Sequence, residues 1–106
     1  MRRILVSDPD SDVRTLLEQT LSRLGYETVR ETPGEPPPLV DALVLEPACA
    51  EGQSLLRRFG EDTPPVICLS IYPREAGLEP PGSHAYLVKP SSRAQLAHAL
   101  DSLFPV

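Results

Sequence analysis

The sequence contains no apolar run approaching the ~18 residues that a membrane-spanning helix requires. Its first such run, Ile4-Leu5-Val6, is cut off by Ser7 and Asp8, too early for the core of a secretion signal. Cysteine is scarce: Cys49 and Cys68 make neither a disulfide framework nor a zinc-ligand spacing. There is no GxGxxG or Walker-type loop. The first apolar run leads into Ser7-Asp8-Pro9-Asp10, which is acidic and glycine-free and repels phosphate groups. Basic residues are not in excess, and a net charge of -5 argues against a nucleic-acid surface. His84 and His98 have no acid, serine or cysteine partner at a telling spacing. Lysine is nearly missing, since Lys89 stands alone beside nine arginines. The expectation from these absences is a cytoplasmic chain with no cofactor, no membrane contact and no nucleic-acid partner.

What is present is one domain's worth of ordinary globular composition. The 106 residues, 41% hydrophobic and 24% charged, suit a single domain over 1–106 with one core. The thirteen prolines are the oddity, and they leave little room for long helices in the middle of the chain. The organising stretch is Ala42-Leu43-Val44-Leu45-Glu46-Pro47. Four apolar residues without a polar break read as a strand buried on both faces, as in a parallel sheet. Glu46 then falls at the strand's carboxyl end, the edge where open α/β sheets build their sites.

Arg3 to Ser7 reads as a second buried strand. Asp10 or Ser11 caps a helix running to about Leu24, with Val13, Leu16, Leu17, Leu21 and Leu24 as its apolar stripe and Gly25 as its stop. Tyr26 to Arg30 alternates and reads as an edge strand. Glu31 to Pro38 (ETPGEPPP) cannot be helical, so the crossover to the central strand is an extended loop lying over the sheet. Gln53 to Phe59 is a short helix stopped by Gly60. Val66 to Ile71 is another buried strand. At most a turn or two of helix fits around Arg74 to Gly77. Ala85 to Val88 is the last strand, and Ser91 or Ser92 caps a final helix with Leu96, Leu100, Leu103 and Phe104 on one face. The order predicts an open parallel sheet with helices on both faces.

Four motifs at these strand ends, ILVSDPDSDVR, ALVLEP, PVICLS and AYLVKP, resemble the receiver domain of bacterial two-component response regulators, the CheY-like fold. The resemblance covers the whole chain. It implies five parallel strands in the order 2-1-3-4-5, with the second helix lost to the proline loop and the fourth short or absent. It places Asp8 on the first acid of the family's acidic pair and Pro9 on the second, the family's main magnesium ligand. Glu46 falls on the phosphoacceptor aspartate and Ser70 on the Ser/Thr that ends strand 4. Tyr86 falls on the aromatic switch, and Lys89-Pro90 on the Lys-Pro pair, whose peptide is usually cis.

The departures carry the functional expectation. Proline offers magnesium no side-chain oxygen, which leaves Asp8 and Asp10 as a loose acidic site and Asp8 as a weak metal candidate. Glu46 is one methylene longer than aspartate, so its oxygens overshoot the position of in-line attack, and misplacement of ~1 Å can cost ~10²-fold. Glu46 is either long enough to pair with Lys89 and lock the domain, or a solvated carboxylate at a strand end. Asp10 and Asp12 can serve as helix-capping acids. Ser70 is a hydrogen-bonding strand terminus or a switch, and Tyr86 a switch or a cover for the sheet edge. The expected function is a phosphorylation-independent protein–protein interaction module in signal transduction, not an enzyme, without an output domain and a monomer or weak homodimer. Its expected partner is another signalling protein, met through the final helix with the Tyr86 strand and Pro90, or through the proline loop. The alternatives are a phosphoacceptor working through Glu46 or Asp10, and a flavodoxin-like small-ligand binder.

Overall fold

The computed structural model describes residues 1–105. Its elements are β1 (Arg3–Ser7), α1 (Ser11–Arg23), β2 (Glu27–Val29), β3 (Ala42–Leu45), α2 (Ala50–Phe59), β4 (Val66–Ser70), β5 (Ala85–Val88) and α3 (Arg93–Leu103), with one-turn 3-10 helices at Gly60–Asp62 and Arg74–Ala76. The five strands form one sheet in the order β2-β1-β3-β4-β5, every pair parallel. This is the flavodoxin-like α/β topology that the resemblance implies.

The unbroken apolar strands follow from burial on both faces. Ile4, Val6, Ala42, Val44, Ile67 and Leu69 point into one core with Leu21 of α1 and Leu96, Ala99 and Leu100 of α3. Leu5, Leu43, Leu45, Val66 and Cys68 point the other way, against Leu55 of α2. Among the described residues, α2 is the one α-helix packed on that second face. The Glu31–Pro38 segment is free of helix and strand, yet Leu5 is fully buried, with Val40 packed against its cluster. In this helix-free crossover it is Val40, just past the prolines, that packs against the sheet, while residues 32–36 stay exposed. Ion pairs between Arg58 and Glu31, and between Arg30 and Glu18 at 2.6 Å, tie the crossover down.

Several boundaries differ from the sequence reading. β2 is three residues long rather than the expected Tyr26–Arg30. α2 begins at Ala50 rather than Gln53, because Cys49 caps it: the Cys49 sulfur accepts from Gly52 N–H. β4 ends at Ser70, leaving Ile71 outside the sheet. Leu16 does not belong to the inward stripe of α1 and is 63% exposed. At about 100° per residue, Leu17, Leu21 and Leu24 fall on one side of Val13 and Leu16 falls about 60° to the other.

Candidate functional site

α1 leaves β1 over one face of the sheet and α2 leaves β3 over the other, so the chain departs in opposite directions at the C-terminal ends of β1 and β3. A crevice forms at that switch point in open α/β sheets, and Asp8 and Glu46 stand in it. Both are buried, with side chains only 2% and 6% exposed. Lys89 arrives from the end of β5, where the Lys89-Pro90 peptide is cis. Its ammonium lies 2.6 Å from Asp8 Oδ2 and 3.2 Å from Glu46 Oε2. Glu46 is therefore a buried, paired carboxylate rather than a solvated one. Sequence reasoning anticipated the pairing with Glu46, but the shorter contact is to Asp8.

The remaining carboxylate oxygens are also engaged. Asp8 Oδ1 accepts from Asp10 N–H at 2.9 Å, and Glu46 Oε1 accepts from Ala48 N–H at 3.0 Å. Burial works to lower the Lys89 pKa, but hydrogen bonds to Asp8 and Glu46 outweigh it and hold the group above its ordinary value of 10.5. The ammonium stays charged because two anions share it in a poorly hydrated place.

Asp10 is spoken for by α1. It is the N-cap, and its Oδ1 accepts from Asp12 N–H at 2.9 Å and Val13 N–H at 3.4 Å. Asp12 is an exposed acid in the first turn. Asp10→Ala should cost about 1 kcal/mol of stability, and Asp10→Asn almost nothing, because asparagine caps equally well; chemical denaturation of the two variants checks this. Pro9 is exposed and contributes no oxygen. A magnesium ion does not fit this donor set. Lys89 occupies the space between the two carboxylates, each oxygen has a protein donor, and the third position is proline. Among the described residues, no group of three or more His, Cys, Asp or Glu side chains is placed to hold a metal ion.

Ser70 is fully buried and its hydroxyl accepts from Tyr72 N–H at 3.1 Å, while its carbonyl accepts from Lys89 N–H at 2.7 Å. Tyr86 packs against the α2-side core and its hydroxyl donates to the Tyr72 carbonyl at 2.8 Å. Ser70 and Tyr86 thus fasten the same loop residue, and neither touches the carboxylates. Pro90 is exposed and stands outside the crevice. His84 and His98 are exposed and remote from it.

Cys49 is the site residue that sequence reasoning missed. Its thiol donates to the Glu46 carbonyl at 3.2 Å and lies on the crevice wall. Cysteine is outside the usual capping set, so no local signal pointed to it. Burial is the main cause that raises its pKa, and the acids Glu51 and Glu46 add to the rise. Above Lys89 the crevice opens as a cleft of about 290 Å3, walled by Val13, Ala48, Cys49, Ile71 and Tyr72.

No protein-family model matches the sequence. It is 32% identical over 116 aligned residues to the probable transcriptional regulator ycf27 of Cyanophora paradoxa, spanning 96% of this chain and about half (48%) of that relative. Among solved structures, a response regulator receiver protein from Burkholderia phymatum superposes with a TM-score of 0.79 at 21% identity, covering 100% of this chain and 97% of the other. The response regulator TrrA from Thermotoga maritima, solved in complex with Mg2+ and BeF, gives 0.76 at 25% identity, over 97% and 99%. A CheY-like receiver domain from Methanospirillum hungatei gives 0.78 at 22% identity, over 98% and 94%. With the strand order, the acid at the end of β1, the carboxylate after β3 and the Lys-Pro after β5 all in place, the chain has the fold of a response-regulator receiver domain of the CheY-like type.

Proposed function

We propose that the chain is a receiver-type domain of two-component signalling that works in a single state, as a protein–protein docking module without a phosphorylation cycle. It is not an enzyme in this reading; its partner is another signalling protein, and it acts in the cytoplasm as a monomer or weak dimer. One observation carries the reading: the Lys89 ammonium sits between Asp8 and Glu46 at 2.6 and 3.2 Å. Phosphoryl transfer rests on positioned charge stabilisation, much of it from metal. Here the lysine occupies the space between the two carboxylates and offsets one of their two charges, the main ligand position is Pro9, and Glu46 is turned back onto its own loop by Ala48 N–H. The Ser70 and Tyr86 bonds to Tyr72 support the same reading, since they hold the neighbouring loop in one arrangement.

Incubation with a small acyl-phosphate donor and magnesium tests it by intact mass. The wild-type chain should take up no phosphoryl group at Glu46 or Asp10, whereas Pro9→Asp with Glu46→Asp should gain magnesium-dependent uptake. A stable acyl phosphate on the wild-type chain would refute the proposal and establish the phosphoacceptor alternative.

A further inference from the structure

Met1, Leu16 and Leu39 are exposed on other elements, and three further large apolar side chains lie at one corner. Ile71, Tyr72 and Val88 are all exposed at or just past the C-terminal ends of β4 and β5, Ile71 by 65%. α3 offers nothing comparable: Leu96 and Leu100 are buried, while Arg93, Gln95, His98 and Asp101 face out. Ile71 and Tyr72 form one wall of the 290 Å3 cleft above Lys89, opposite Val13, Ala48 and Cys49. This cleft has room for one large aliphatic side chain. Apolar surface gathered around a concavity marks an interaction site more than scattered single residues do.

Charge selects the kind of partner. The cleft is lined by three carboxylates, Asp8, Asp10 and Glu46, against the one ammonium of Lys89. Asp12 and Glu51 add acids in the first turns of the flanking helices. The arginine of the adjoining loop, Arg74, is taken up by Glu79 at 3.0 Å. We propose that this corner docks a partner segment carrying one large aliphatic side chain between lysines or arginines. The aliphatic group enters the cleft while the cations face Asp10, Asp12 and Glu51. The surface deepens the docking reading given above and rests on it. Its charge component gives selectivity and salt dependence, and its apolar component gives residence.

The probes are two pentapeptides with a central leucine, one flanked by lysines and the other by glutamates, titrated into the isotope-labelled full chain. The lysine peptide should shift the amide signals of Ala48, Ile71 and Tyr72, and bind more weakly as salt is raised. The glutamate peptide should leave them in place. Ile71→Ser, in an exposed loop, should keep the wild-type melting temperature and weaken the lysine peptide about tenfold. Equal binding of both peptides, no binding of the lysine peptide, or shifts confined to another face such as α3 would overturn the proposal. None of these readouts involves phosphate. Their failure removes the surface and leaves the single-state reading to its own test.

Discussion

Lys89→Met should destabilise the domain by about 3–5 kcal/mol, the usual loss when one partner of a buried ion pair is removed and the other charge is left behind. For a domain of this size that lowers Tm by more than about 10 °C. The methionine fills similar space, so the loss comes from Asp8 and Glu46 facing each other without a counter-ion. Adding Asp8→Asn and Glu46→Gln to Lys89→Met should recover most of it, because no uncompensated charge then remains. The pH dependence has a definite sign. The Lys89 pKa is held above 10.5 in the folded chain, so its stabilisation is complete below that value and is lost as pH rises through the folded value. Urea midpoints of wild type and Lys89→Met should therefore converge above pH 10.5 and stay apart below it. Wild-type stability for Lys89→Met at neutral pH would mean that the carboxylates are effectively solvated, and the single-state reading would lose its support.

Gly52→Ala should also destabilise, by about 1–3 kcal/mol, the range for overpacking a tight interior. The sign is the informative part. Gly52 lies within α2, where alanine is ordinarily better by about 1 kcal/mol. Here a Cβ would run into the Glu46 backbone carbonyl and touch the Cys49 sulfur. The helix would have to lift from the end of β3, moving the segment that aims Glu46 at Lys89. Chemical denaturation should show a lowered midpoint for Gly52→Ala. A raised midpoint would mean that α2 can shift without disturbing the site.

The parts of the fold that could be read directly are those governed by neighbours in sequence. Runs such as Ile4 to Val6 and Ala42 to Leu45 announce strands buried on both faces. The pairs Asp10-Ser11 and Ser91-Ser92 announce helix starts to within one residue, and the structure selects Asp10 and Ser92, the latter in a capping box with Gln95. The prolines of Glu31–Pro38 forbid a helix by their own covalent geometry. The motif positions Asp8, Glu46, Ser70 and Lys89 were legible because each sits at a strand end that its own apolar run defines.

Other features depend on which elements meet. The Lys89–Asp8 contact joins residues 81 positions apart, and no local pattern states that it is shorter than the contact to Glu46. The exposure of Leu16 follows from where α1 lies on the sheet, and that of Ile71 from β4 ending one residue before it. Cys49 became a cap, and Gly52 a point of close approach, only because α2 begins against the Glu46 carbonyl just past the end of β3. Strands, caps and breakers are set by interactions within a few residues, so the chain declares them locally. Which charges share a buried corner, and which apolar side chains are left uncovered, depends on long-range packing and is decided only once the layers close.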